Sequence, residues 1–219
     1  MKKIDKINVI TQGAFGENSY IVTYDKDKCV LVDPGLNGEA LLKHIGDNNL
    51  ELTLTILTHN HFDHIAGLNN EILSRKVYMS EKDKNDLLDI KYTTLMYNAY
   101  GYQLIENEKD FKTFFKMLIE NKSNIITVKD KDTILDLFTV METPGHTVGS
   151  ICLINKPAEI IFTGDTLFNN GYGRYDLPGG NYDTLIASLK KITSLPSSYT
   201  VKPGHGNDTT IDKEKHNYD

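Results

Sequence analysis

Five of the seven histidines fall into three short clusters, and these clusters hold most of the chemistry the chain offers. The densest is THNHFDH (58–64), which follows directly on the β-branched, almost uncharged run LTLTILT (52–58). Residues two apart in an extended chain point the same way, so His59 and His61 can bind one ion together. Asp63 and His64 follow as the chain turns toward a helix, and can face a second ion beside the first. Imidazole nitrogen and carboxylate oxygen suit Zn²⁺, and also Fe or Mn.

Three further candidates each lie just past the end of an expected strand, where open α/β sheets place their sites. They are His146 in ETPGHTVGS (142–150), Asp165 in FTGDTLF (162–168) and His205 in KPGHG (202–206). The neighbouring glycines permit tight turns and close backbone approach to a ligand. Seven ligands divide as three for one ion, three for another and one shared carboxylate. We assign His59, His61 and His146 to the first ion and Asp63, His64 and His205 to the second, with Asp165 bridging both. His44, in an expected helix, and His216, in a polar tail, read as ordinary residues. Asp33, in VDPG (32–35), is either a turn residue or a carboxylate that orients a ligand imidazole from behind.

The elements that must position these residues read as one α/β domain. Strands are expected at 7–10, 18–24, 29–33, 52–58 and 76–80, with helices at 39–45 and 65–73. Residues 81 to about 122 differ in kind: helical spacing at Phe111, Phe114, Phe115 and Leu118 marks a mainly helical insertion. Strands resume at 124–128, 133–140, 150–154 and 159–164, followed by a helix at 183–192 and a last strand at 199–203. The polar tail from Asn207 is expected to be loosely ordered.

Composition narrows the partners. Over 219 residues, 24 Lys and Arg against 30 Asp and Glu give a net charge of −6, which argues against nucleic acid, whose phosphates are bound mainly through Lys and Arg. No apolar run approaches the ~18 residues of a membrane span. Cys29 and Cys152 sit inside apolar runs and read as small core residues in a reducing compartment. A soluble cytoplasmic enzyme with a small-molecule substrate is expected, with neither nucleic acid nor membrane as partner.

The motifs GENSYIV (16–22), VDPG (32–35), LTHNHFDH (57–64), PGHTVGS (144–150), FTGDTLF (162–168) and PGHG (203–206), in that order, closely resemble the metallo-β-lactamase superfamily. Within it, GDTLFNNGYGRYDLPGGNYDTLIASL (164–189) and PGHGNDTTIDKEK (203–215) look most like the glyoxalase II branch, the hydroxyacylglutathione hydrolases, in their short form. The resemblance implies an αββα sandwich with a dinuclear site at one edge between the sheets. It also implies two divalent metal ions, Zn²⁺ foremost, and hydrolysis of a thioester such as S-D-lactoylglutathione. Two metals sharing a water lower its pKa toward neutrality, and Asp63 is the residue placed to receive the proton. The same resemblance suggests a basic residue and a tyrosine for the thiol peptide, making Arg174 and Tyr175 the substrate-binding candidates. The competing role for Arg174 is an ion pair with Asp176 or Asp183.

Two departures bear on the substrate. Glyoxalase II proper has a helical C-terminal region with glutathione contacts, which finds no counterpart in these residues. The insertion brings Tyr92, Tyr97, Tyr100, Tyr102, Phe111, Phe114 and Phe115, which either pack a helical pair, the reading we favour, or wall a substrate. The rival activities are a mononuclear iron persulfide dioxygenase of the same superfamily and a lactone or other ester hydrolase.

Overall fold

The computed structural model describes residues 1–13 and 15–218. Its first sheet is built from β1 (Lys6–Gln12), β2 (Glu17–Tyr24), β3 (Lys28–Val32), β4 (Glu51–Ile56), β5 (Val77–Ser80) and β6 (Ile125–Val128), in that spatial order. β1, β2 and β3 form an antiparallel meander, while β3 to β6 run parallel. Parallel strands need crossovers. These are α1 (Gly38–Asp47), the short helices α2 (Phe62–Ile65) and α3 (Asn70–Leu73), and a helical segment of α4 (Glu81–Leu88), α5 (Ile90–Ala99) and α6 (Glu108–Glu120).

The second sheet comprises β7 (Thr133–Ile134), β8 (Phe138–Glu142), β9 (Ile151–Asn155), β10 (Ile160–Gly164), β11 (Thr200–Pro203) and β12 (Thr209–Thr210), ordered β12-β11-β10-β9-β8-β7. α7 (Tyr182–Thr193) and α8 (Ile211–Glu214) cover its outer face.

Strand alternation explains the layering. In β3, Val30 and Val32 point to one side and Cys29 and Leu31 to the other, and all four are buried. Val30, Val32, Leu54 and Ile56 meet Phe138, Val140, Leu153 and Phe162 of the second sheet. Cys29 and Leu31 pack instead on Leu41 and Ile45 of α1. On the far side, Cys152, Ile154 and Ile161 meet Leu185, Leu189 and Ile192 of α7. Helix, sheet, sheet, helix is therefore the order of layers, an αββα sandwich as expected. Both cysteines are free thiols. No helix among the described residues is long and apolar enough to cross a membrane.

Three expectations need correction. The helix placed at 65–73 is broken into α2 and α3, because Gly67 is folded against the VDPG turn: its N–H donates to Gly35 O at 2.6 Å, and a Cβ there would lie 2.4 Å from Pro34 O. The strand placed at 133–140 is a hairpin, turning through Leu135 and Asp136, which both take positive φ. The tail from Asn207 is packed rather than loose. Ile211 and Glu214 are fully buried, and Tyr218 joins the core under α7.

Candidate metal centre

All seven expected ligands come together where the two sheets open at one edge. β4 ends at Ile56, and Leu57 and Thr58 lead straight to His59 and His61. α2 then turns Asp63 and His64 back toward them. β8, β10 and β11 deliver His146, Asp165 and His205 from the other sheet. The glycines beside them are there for space. A Cβ at Gly204 would lie 2.1 Å from Asp165 Oδ1, and one at Gly173 would lie 2.0 Å from Asp165 O.

Two triads of ligand atoms result, each within 4.8 Å of one another: His59, His61 and His146, and Asp63, His64 and His205. Asp165 stands between them. Its Oδ1 is 3.2 Å from His64 Nε2, and its Oδ2 is 3.6 Å from His146 Nε2 and 3.4 Å from His205 Nε2. Asp63 Oδ2 is 3.3 Å from His205 Nε2.

The hydrogen bonds behind the rings orient the imidazoles. His146 Nδ1 donates to Arg174 O at 2.6 Å and His205 Nδ1 to Phe15 O at 2.9 Å, since a carbonyl can only accept. His64 Nδ1 donates to Asp33 Oδ2 at 2.9 Å. Thr58 Oγ1 gives its proton to Asp33 Oδ2 and so accepts from His59 Nδ1 at 3.0 Å. With their Nδ1 protons so committed, all four rings turn Nε2 inward. His59 and His146 then face each other Nε2 to Nε2 at 3.2 Å, and His64 and His205 at 3.3 Å. His59 and His146 are held neutral, so their lone pairs repel unless a cation lies between or beside them, while His64 and His205 are held protonated and bring like charges together. Among the described residues, buried His61 Nε2 has no hydrogen-bond partner, and Asp165 Oδ1 has only its contact with His64 Nε2. This donor set of nitrogen and carboxylate oxygen fits two divalent ions.

Charge in the protein alone is unevenly spread. Burial, reinforced by the neighbouring histidines, holds His59 and His61 well below the usual imidazole range. Burial also lowers His146, against the pull of Asp165. At His64 and His205 burial is outweighed by the carboxylates of Asp165 and Asp63, which lift His64 well above its ordinary value and His205 to about 10. In turn, Asp63 and Asp165 stay ionised despite burial, through His64 and His205. The first triad is thus a neutral nitrogen site and the second a protonated one.

Asp33 lies behind the ligands, holding Thr58 N–H at 2.7 Å as well as His64. Its φ of +52°, unusual for a non-glycine residue, turns the carboxylate into that position. Arg174 borders the cavity of about 450 Å³ that opens over the two triads, but its guanidinium makes a bidentate pair with Asp176 at 2.8 and 2.9 Å. Tyr175 lies away from that cavity, its ring tilted against Tyr182 at 4.9 Å.

The insertion's aromatics divide. Tyr97 stacks on Phe111, and Phe111 and Phe114 pack on Phe62, so these hold the helices together. Tyr100 alone of the seven lines the cavity, opposite Phe15, Phe168 and Leu177. Two supporting residues escaped the sequence. Thr58 links Asp33 to His59, and Asp83 of α4 is a buried carboxylate that in sequence sits in the charged run EKDKND, indistinguishable from a solvated helix face.

The metallo-beta-lactamase superfamily model matches residues 12–205. A protein of Haemophilus influenzae named hydroxyacylglutathione hydrolase GloC is 32% identical over 213 residues, covering 95% of this chain and 94% of that one. The probable metallo-hydrolase YqgX of Bacillus subtilis is 32% identical over 203 residues, covering 91% and 89%. Among solved structures, TTHA1623 in a di-iron-bound form superposes with a TM-score of 0.78 at 31% identity, covering 94% of this chain and 96% of that one.

Proposed function

The chain belongs to the metallo-β-lactamase superfamily, and on that footing we propose that it is a dinuclear metal-dependent hydrolase that cleaves a thioester, S-D-lactoylglutathione or a related hydroxyacyl thioester, to a thiol and a hydroxy acid. The observation that carries this reading is the placement of Asp165 between two complete triads, with one oxygen toward His64 and the other toward His146 and His205. A single-ion site would leave one triad uncompensated, either the facing lone pairs of His59 and His146 or the facing charges of His64 and His205. The likeness to GloC supports the substrate class, and the di-iron neighbour supports a pair of ions without choosing Zn²⁺ over Fe or Mn.

When bound, the two ions supply a water acidified toward neutral pH and a Lewis acid for the carbonyl. The residues of the chain do the rest. Asp63, only partly buried and kept ionised, receives the proton as the water oxygen bonds to the acyl carbon. The C–S bond then breaks, and a thiolate is stable enough to leave without a dedicated acid. Asp33 and Thr58 keep His64 and His59 in the tautomers that present Nε2. The cavity over the triads admits a small acyl group, with Arg174 at its rim as the candidate for a carboxylate on the thiol arm. Tyr175 reaches substrate only if its loop shifts. The buried free thiols Cys29 and Cys152 suit a reducing cytoplasm.

Metal analysis coupled to a thiol-release assay tests the reading. Two ions per chain and metal-dependent thiol release from S-D-lactoylglutathione are expected. One iron per chain with oxygen uptake on glutathione persulfide would instead make it a dioxygenase. Turnover of lactones alone would make it an ester hydrolase.

A further inference from the structure

Hydrolysis at this centre builds negative charge on the carbonyl oxygen, and besides the ions themselves the cavity offers few side-chain donors able to meet it. Arg174 lies at the exposed rim, where it pairs with Asp176 and is the candidate for a carboxylate on the thiol arm. Gln103 is exposed, with its amide turned to Tyr102 at 3.4 Å. Tyr100 is different. Its hydroxyl oxygen accepts the Phe62 backbone N–H at 2.7 Å, which uses an acceptor lone pair and leaves the O–H proton available. Among the described residues no carboxylate or carbonyl takes that proton.

The ring is fixed as firmly as the hydroxyl. It stands edge-on to His61, with centroids 5.7 Å apart, and to Phe62 at 6.0 Å. The next residue, Gly101, lies so close to the Phe62 ring that a Cβ would come within 2.7 Å of Cδ2. The turn that ends α5 is therefore clamped onto the loop bearing His61 and Asp63, and it carries the phenol into the cavity beside His61, His146 and Asp165. Accepting one hydrogen bond polarises an O–H and makes it a better donor. Burial keeps the phenol protonated well beyond neutral pH.

We propose that Tyr100 is a catalytic residue of this centre, donating a hydrogen bond to the substrate carbonyl oxygen as the tetrahedral intermediate forms. The inference rests on the hydrolase reading above. No proton is transferred: the O–H stays with Tyr100 while the water oxygen bonds to the acyl carbon and the carbonyl π electrons move to oxygen. The helical segment 81–120 would thus supply part of the reaction machinery as well as a packing layer.

Tyr100→Phe in the metal-loaded full chain tests this, with Tyr102→Phe, an exposed neighbour outside the cavity, as control. Loss of one donor to a developing oxyanion costs roughly 100-fold in kcat, so Tyr100→Phe should lose about that factor on S-D-lactoylglutathione while KM changes less than about threefold. Metal content and the visible spectrum of the Co²⁺-substituted protein should match wild type. A phosphonate analogue of the tetrahedral intermediate should bind the variant at least about tenfold more weakly. Unchanged kcat overturns the proposal. So does a loss that tracks an altered Co²⁺ spectrum, which would make Tyr100 a support for the His61 loop through Phe62. If wild type hydrolyses no thioester or lactone, the hydrolase reading fails, and equal phosphonate affinities would then overturn the role of Tyr100 separately.

Discussion

Asp83 Oδ2 accepts a hydrogen bond from Thr147 Oγ1 at 2.8 Å, joining the first helix of the insertion to the residue next to His146. The carboxyl is fully buried, and the Asp83 carbonyl also receives the Asn60 side-chain amide at 3.3 Å, between His59 and His61. Gly149 completes the contact, since a Cβ there would lie 2.4 Å from Asp83 Oδ1. One residue of α4 thus braces both loops of the first triad.

That brace titrates. Burial, with Asp86 nearby and against the Thr147 hydrogen bond, pushes the Asp83 carboxyl up from 3.8 to about 7. Between those values the folded chain holds a proton that the unfolded chain has lost, so stability from this group is complete below about pH 4 and falls as pH rises through 7. The loss is about 4 kcal/mol by pH 8. Asp83→Asn removes the titration while keeping an acceptor for Thr147. Its melting temperature should match wild type at pH 4 and exceed it by roughly 10 °C at pH 8. A difference independent of pH would refute the assignment.

Loading of the two triads should differ with pH. His59, His61 and His146 are held neutral, so the first ion displaces no proton near pH 7. His64 and His205 are held protonated, and an ion bound there must displace both protons. Affinity at the second triad should therefore rise about tenfold per proton per pH unit, while the first changes little. Chelator-competition titrations at pH 6.5 and pH 8 check this, and equal slopes for the two ions would refute it.

Much of this centre was legible because ligand chemistry confines residue type and spacing. Both triads and the placement of Asp165 between them can be read from HNHFDH and three glycine-flanked loops. The four layers follow from alternation in strands such as β3, where both faces are apolar. What escaped depends on contacts distant in sequence. The break at Gly67 exists because the VDPG turn, some thirty residues earlier, needs that space. The hairpin at Leu135 and Asp136 places ordinary residues at positive φ, with no glycine to announce it. The tail looked loose because its polar residues find buried partners that no local pattern reveals.

Glu214 is the centre of that tail. Its fully buried carboxylate accepts Thr209 Oγ1 at 2.7 Å, Asn217 Nδ2 at 3.0 Å and Asn170 N at 3.1 Å. Tyr218 adds a bond from its hydroxyl to Gly171 O at 3.0 Å. The C-terminal segment therefore holds the loop that follows Phe168, a wall of the cavity. Glu214→Ala removes the shared acceptor of three donors, of which the Thr209 hydroxyl is buried while Asn170 and Asn217 are exposed, and should cost about 1–3 kcal/mol of unfolding free energy. Urea denaturation measures it, and a cost below about 1 kcal/mol would show that water replaces the carboxylate.

Arg174 and Asp176 provide the last test, because their pairing decides whether the guanidinium is free for substrate. The contact is bidentate, yet the side chains are 56% and 63% exposed. Exposed pairs contribute only about 0–1 kcal/mol, so a carboxylate on the thiol arm can exchange for Asp176 at little cost. Arg174→Ala should then raise KM for S-D-lactoylglutathione about tenfold, leaving metal content and kcat near wild type. Asp176→Ala should act in the opposite sense, lowering KM by removing the internal competitor. An arginine that serves only to hold the loop predicts a different pair of outcomes. Both substitutions would then break the same contact and change KM in the same direction. Steady-state kinetics of the two variants on one anionic thioester separate the cases without a structure of the complex.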